Sequence, residues 1–193
     1  MFKSVFMKYL LAFTMIVLLS FSVIIVIISM IIGEYAKNEK NDIMKNAAVS
    51  SASYAAKKLS EYSSEDWSRL PSDSQEEISS MLTLVSSQAE DITILLIDES
   101  GKIRWVEGKE RDQIAVGTTL PSAFCAEAMG NGGGTITQNT STHYLFDSPH
   151  SIYAQPIITS DATVHGAVLV CADPELMTDL SDAIVGTITH SIL

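Results

Sequence analysis

A β-hairpin is predicted at residues 92–106, which read ITILLIDESGKIRWV. Ile92 to Ile97 is a continuous run of leucine and β-branched residues, and the strand signal resumes over Ile103-Arg104-Trp105-Val106. Asp98-Glu99-Ser100-Gly101 is the turn between them, because Gly101 can adopt a positive φ at no steric cost. The middle of the chain therefore begins a sheet.

Three more strands are predicted on the C-terminal side of this hairpin. A short helix at residues 121–129 is stopped by a glycine cluster, and strands follow at 135–138, 151–159 and 163–171. Pro156 donates no ladder hydrogen bond, so it suggests an edge position or a bulge. Gly166 suggests a close backbone approach, which we expect beneath the long N-terminal helix.

Two helices are predicted on the N-terminal side. The first covers residues 34–62, which contain neither proline nor glycine, and its apolar side chains share one helical face. The members of this alanine-rich face are Met44, Ala48, Ala52, Ala55, Leu59 and Tyr62. The face either covers the domain's own sheet or forms a homodimer seam, since small side chains let two backbones approach closely.

The second helix follows a turn at Ser63–Ser74. Ser74 and Glu77 have the spacing of a capping box, in which each side chain satisfies a backbone N–H group of the first turn. Apolar residues at helical spacing then continue to near Glu90.

A membrane-spanning helix is predicted at residues 9–32. These 24 residues include no charge and no proline, and a helix of that length crosses a hydrocarbon core of about 30 Å. The alternative is a cleaved secretory signal, but such a signal has an apolar stretch of about 7 to 15 residues and a small-residue cleavage site. The sequence favours a retained anchor that contacts the lipid bilayer.

The orientation of the anchor depends on the size of the domain on its C-terminal side. Basic residues are nearly balanced, with Lys3 and Lys8 before the span and Lys37, Lys40 and Lys45 after it. Long domains are translocated largely regardless of charge. We therefore expect residues 1–8 in the cytoplasm and residues 33–174 outside it.

The charge of the outer part excludes some partners. All 23 acidic residues but only 10 of the 12 basic ones follow Gly33, a formal charge of −13. Such a surface repels nucleic acid and anionic lipid. Cys125 and Cys171 both lie in apolar surroundings, so two buried thiols are favoured over one disulfide bond.

Motifs for catalysis are absent from the sequence. The glycine cluster at residues 130–134 lacks a following Lys-Ser/Thr, and there is no G-x-S-x-G, H-E-x-x-H or C-x-x-C pattern. His143, Asp147 and His150 have side chains that can ligate a divalent metal, but they lie in a polar loop. We expect no catalytic residue, cofactor or metal site.

The order of elements resembles a known family. A membrane helix, a long helix, a short helix, a hairpin carrying IDESGKI (97–103) and closing strands YAQPII (153–158) and HGAVLV (165–170) are similar to the extracytoplasmic PAS-like (Cache) sensor domains of bacterial sensor histidine kinases. The resemblance implies an α+β fold with a five-stranded antiparallel sheet. It also implies a C-terminal helix at 175–193 leading toward a second membrane span, so that the sequence is the front part of a longer protein.

The resemblance also implies a function. The chain would be the signal-sensing input region of a two-component sensor histidine kinase, a homodimer through its long helix. It would respond to a small-molecule or ionic signal and reach a response regulator through a kinase portion beyond these residues. The same input domain is also found in chemoreceptors and cyclic-dinucleotide enzymes. The alternative is that the chain is the input domain of one of these proteins. A pilin-like structural subunit is a remote third.

A ligand site follows from the same resemblance. The pocket of such sensors lies on a face of the sheet, covered by the loops and short helix between the second and third strands, here residues 108–134. Arg104 would pair with a carboxylate. Trp105 and Tyr153 would supply flat apolar walls, and Tyr144 would donate a hydrogen bond. Each of these residues is otherwise an ordinary strand or core residue.

Overall fold

The computed structural model describes residues 5–62, 67–89, 91–130, 132–136, 145–146 and 150–173. The chain divides into two compact units, residues 1–39 with 177–193 and residues 40–176. The predicted C-terminal helix at 175–193 lies outside the described residues.

The first unit is described over residues 5–39, which are helical. They belong to helix α1, Val5–Glu61. The hydroxyl groups of Thr14, Ser20 and Ser22 donate to the carbonyl oxygens four residues earlier, at 2.9 to 3.0 Å. These polar groups are satisfied within the helix, as an apolar surrounding requires. Within the described ranges, one helix is long and apolar enough to cross a membrane.

The described part of the second unit contains the remaining part of α1, two further α-helices and an antiparallel sheet. Its elements after α1 are a 3-10 helix Trp67–Arg69, α2 Ser72–Ser87, β1 Ile92–Asp98, β2 Ile103–Gly108, a second 3-10 helix Arg111–Gln113, α3 Ser122–Gly130, β3 Gly134–Ile136, β4 Ser151–Ile158 and β5 Val164–Ala172. The strand order is β2-β1-β5-β4-β3. Four strands have six to nine residues, and β3 extends one edge by three residues. The predicted α+β class and antiparallel sheet are confirmed.

Helices α1 and α2 cover one side of this sheet. Their apolar side chains and those of β1, β4 and β5 form what we call the near-side cluster. Its buried members are Met44, Ala47, Ala48, Ala52, Ala55, Leu59, Trp67, Leu70, Ile78, Leu82, Ile92, Ile94, Leu96, Ile157, Val168, Val170 and Ala172. The alanines of α1 pack in this cluster, which buries apolar surface inside one chain.

The alanine-rich face is therefore not a homodimer seam. Met44, Ala48, Ala52, Ala55 and Leu59 are at most 4% exposed, because the chain's own sheet covers them. Tyr62, the sixth residue of that face, is exposed.

The predicted capping box of α2 is wrong. The helix begins at Ser72 with Pro71 as its N-cap residue, and no side chain caps it. Proline suits this position because its φ of −54° resembles that of the helix that follows. Ser74 is already inside the first turn, where it is buried.

The β4–β5 pair contains both predicted irregularities. The register shifts between Pro156 and Ile158, so the bulge expected at Pro156 is present. Gly166 makes a close backbone approach, but its neighbour is β1 and not the long helix. A Cβ atom at Gly166 would lie 2.0 Å from the carbonyl oxygen of Ile97.

Candidate functional site

The far side of the sheet is covered by residues that follow β2. Side chains from this segment and from residues 145–146 pack on the strands in what we call the far-side cluster. Its buried members are Leu95, Ile97, Ile103, Val106, Ile114, Leu120, Cys125, Ala128, Leu145, Phe146, Ile152, Ala154, Ala167, Leu169 and Cys171. All seven residues of β1 are buried, because helices cover one face of this strand and this segment covers the other. The segment lies where the family resemblance placed the ligand lid.

A buried carboxylate closes the hairpin at one end of β1. Asp98 Oδ1 accepts hydrogen bonds from the Ser100 amide at 2.9 Å, the Ser100 hydroxyl at 2.6 Å and the Lys102 amide at 3.0 Å. Asp98 Oδ2 accepts one from Arg104 Nε at 2.7 Å. Burial alone would raise the pKa of Asp98, but these hydrogen bonds and the nearby guanidinium charge outweigh it and lower the pKa.

A second pair of ionisable side chains, one buried and one partly buried, lies near the other end of β1. His150 Nε2 is 2.9 Å from Glu110 Oε2, and the His150 side chain is only 2% exposed. The imidazole ring stacks on Phe146 with centroids 3.8 Å apart. The Glu110 amide donates to Thr93 Oγ1 at 3.1 Å, which holds the turn after β2 against β1. Apolar far-side residues therefore lie between two buried polar groups.

Sequence reasoning missed the pair of Glu110 and His150. The two residues are forty positions apart, one in a turn after β2 and one before β4, and neither belongs to a motif. The sequence suggests His150 only as a metal ligand, with His143 and Asp147, which lie outside the described residues. The described part of the chain holds no cluster of three metal-ligating side chains.

The four predicted ligand residues have different surroundings. Arg104 is paired with Asp98 at the hairpin turn. Trp105 and Tyr153 both pack against the near-side cluster. Trp105 contacts Trp67 edge to face, with the two ring centroids 5.6 Å apart. Strands β1 and β5 separate β2 from β4, so Trp105 and Tyr153 are roughly 14 Å apart across the sheet. Tyr144 lies outside the described residues.

A solvent-open groove of about 590 Å³ lies on the outer surface of α1 and α2. Its lining residues are Tyr54, Asp73, Glu76, Glu77, Ser80, Met81 and Leu84. Glu77 pairs with Lys58, and the Tyr54 hydroxyl donates to Glu77 at 3.4 Å. Hydrogen bonds to Glu77 and then Glu61 raise the pKa of Lys58, which remains a cation at the edge of the groove.

Both cysteines are free and buried in the far-side cluster, as predicted. Burial, and secondarily the charge of Glu110, raises the pKa of Cys171. Burial also raises the pKa of Cys125, with a contribution from Asp98. Because the thiolate is the reactive form, both side chains act here as small apolar residues.

Several solved sensory and ligand-binding domains have a similar architecture. The ligand-binding domain of the Campylobacter jejuni chemoreceptor Tlp3, in complex with L-valine, matches with a TM-score of 0.58 at 11% identity, over 92% of this chain and 67% of that chain. The extracellular domain of vpHK1S-Z8, a candidate histidine kinase, matches with a TM-score of 0.58 at 15% identity, over 80% of this chain and 60% of that one.

A third similar structure is an extracellular ligand-binding receptor from Desulfohalobium retbaense. It matches with a TM-score of 0.54 at 15% identity, over 78% of this chain but only 26% of that chain. The chain thus spans between about a quarter and two thirds of these structures. At such identities the likeness establishes the fold. No family model and no curated protein matches the sequence.

Proposed function

We propose that the chain is the extracytoplasmic signal-sensing input region of a membrane-bound two-component sensor histidine kinase, with a PAS-like (Cache) domain anchored by residues 9–32. The observation that carries this proposal is one apolar helix followed by a domain with the fold of sensory domains. A ligand that binds one arrangement of the domain better than another shifts the population between them. The kinase portion would pass the signal to a response regulator.

The second candidate is the input domain of a chemoreceptor. It is favoured by the match to the Tlp3 domain, whose TM-score equals that of the candidate kinase. Sequencing the gene downstream of this region would distinguish them, because a second apolar span followed by a histidine phosphoacceptor box would belong to a kinase. A long helical signalling region without that box would favour the chemoreceptor.

We further propose a small molecule with a carboxylate as the ligand. Arg104 gives Asp98 only its Nε, so its two terminal amino groups remain to bind a carboxylate bidentately. Its side chain is 27% exposed, which leaves it accessible. Tyr144 and Trp105 are kept as proposed contacts, whereas Tyr153 lies roughly 14 Å from Trp105 across the sheet and is too far away to contact the same small molecule. L-Valine is the probe, since the similar Tlp3 domain was crystallised with it.

Thermal unfolding of the full chain in detergent micelles tests this ligand class. The two tryptophans, Trp67 and Trp105, both lie in the second unit and report its unfolding. A ligand at one hundred times its Kd raises the free energy of unfolding by about 2.7 kcal/mol. This corresponds to a rise in Tm of roughly 5 °C or more. We expect a panel of L-amino acids that includes L-valine to contain at least one that gives this shift.

The controls are two variants that each remove a cation. Arg104→Gln should abolish the shift, whereas Lys57→Gln, which alters an exposed lysine of α1 paired with Glu61, should keep it. A panel in which no amino acid moves the Tm would reject this ligand class.

We also propose a homodimer through the outward face of α1. Its central residues, Asn46, Val49 and Ser53, are exposed and follow the three-and-four spacing of a helix–helix seam. Ser53→Cys should form a disulfide-linked dimer under mild oxidation, because facing residues of such a seam are close. Ser122→Cys, an exposed serine at the start of α3, is the matched control and should stay monomeric. Equal cross-linking of both variants would contradict the seam.

A further inference from the structure

Two pairs of charged residues lie at one end of the sheet. Ile92 pairs with Ala172 and Thr93 pairs with Gly108, so the next residues outward, Asp91, Asp173 and Lys109, flank the same end. Lys109 Nζ lies 3.2 Å from Asp91 Oδ1. Lys40 of α1 donates from Nζ to the backbone carbonyl oxygen of Asp173 at 2.6 Å. We call these four residues the charged latch.

The electrostatics of the charged latch link Lys40 to the other three residues. Burial lowers the pKa of Lys40, and the charges of Asp91 and Asp173 offset only part of that effect, while Lys109 adds to it. An ammonium group that has lost water depends on the partners that remain. Two cations and two anions also balance in charge, so the cluster is locally neutral.

The charged latch connects two parts of the chain that are far apart in sequence. Lys40 and Asp173 are 133 residues apart. Lys40 lies where α1 enters the second unit, and Asp173 directly follows β5, the last described strand. The hydrogen bond therefore joins the first helical turn of the unit to the end of its central strand.

We propose that the charged latch is the coupling contact of this domain, through which a displacement of β5 reaches α1. Its signalling meaning rests on the proposed sensor function. The structural part of the proposal does not depend on that function. It states that the backbone at the end of β5 and in the first turns of α1 within the second unit opens and closes together. Lys40 is thus a positioning residue.

Hydrogen exchange followed by mass spectrometry on the full chain in detergent micelles tests this coupling. Lys40→Met keeps the length of the side chain and removes its donor, and we expect exchange about tenfold faster in peptides covering both 40–47 and 168–173. Lys45→Met alters an exposed lysine five residues along the same helix and should leave both peptides at the wild-type rate. Lys40→Arg restores a donor and should return both rates toward wild type.

Two results would overturn the proposal. One is Lys40→Met exchange at the wild-type rate in either peptide, and the other is acceleration of one peptide without the other. If Lys40→Met does not fold, Asp91→Asn removes one anion at the surface and should accelerate both peptides severalfold; unchanged rates would again overturn it. The thermal shift with L-amino acids is independent, so failure of the sensor function and failure of the charged latch are distinguishable.

Discussion

Gly166→Ala should lower the free energy of unfolding by about 3 kcal/mol or more, which belongs among the large effects of single substitutions. Gly166 has a φ of +140°, which L residues with a Cβ atom rarely adopt. The added Cβ would also lie 2.0 Å from the Ile97 carbonyl oxygen and 3.0 Å from the Asp98 Cα atom. Both neighbours are backbone of the interior strand β1 and have little room to move. Urea unfolding followed by tryptophan fluorescence measures the loss.

Two glycine variants separate backbone strain from the steric clash. Gly117 has a φ of +94° but only the flexible end of Lys102 near the new Cβ, so Gly117→Ala should cost about 1 kcal/mol from strain alone. Gly130 lies at the end of α3 with nothing within 4 Å, and Gly130→Ala should cost nothing measurable. If Gly166→Ala costs no more than Gly117→Ala, the close approach to β1 is not significant for stability.

Asp98→Ala should cost about 3 kcal/mol, since removal of one partner from a buried ionic group leaves the others unsatisfied. Four donors point at this carboxylate, two from Ser100 and one each from Lys102 and Arg104. Asp98→Asn should cost less, because an amide oxygen can still accept from Ser100 and Lys102 while its NH₂ group opposes Arg104. Chemical unfolding at pH 7 measures both variants.

The pH dependence of stability gives an independent check on Asp98. Its pKa is lowered in the folded protein, so its contribution is present above the unfolded value of about 3.9 and is lost as pH falls through the folded value. The wild type should therefore lose stability below about pH 4 more steeply than Asp98→Asn, which cannot titrate there. Parallel curves of unfolding free energy against pH for the two proteins would show that the titration of Asp98 does not affect stability.

The sequence predicted the elements that depend on local pattern. The hairpin at residues 92–106 has its turn at Asp98–Gly101, and Gly101 adopts a φ of +79°. The missing N–H group of Pro156 predicts an edge position or a bulge, and the structure has the bulge. The apolar face of α1 was identified correctly except for Tyr62, but periodicity cannot say whether a sheet or a second chain covers it. The structure assigns that face to the near-side cluster.

The features that the sequence did not reveal depend on residues far apart in the chain. Glu110 meets His150, and Lys40 meets Asp173, only because the strand order brings the ends of several elements together. Charged residues in turns and on helix surfaces usually remain in solvent, so no local signal distinguishes these four. The prediction of which element lies next to Gly166 was wrong for the same reason. A glycine in a strand predicts a close backbone approach but does not identify the partner.

The strand order sets when this domain can fold during synthesis. The first strand, β1, lies beside the last, β5, and Ile92 pairs with Ala172 across most of the length of the domain. Until β5 leaves the ribosome, β1 and β4 each expose an unpaired edge that can pair with another nascent chain. The entropy of closing this long loop must also be overcome before the central pairing forms. Folding without mispairing therefore requires that β1 and β4 stay apart from other chains until β5 has been synthesised.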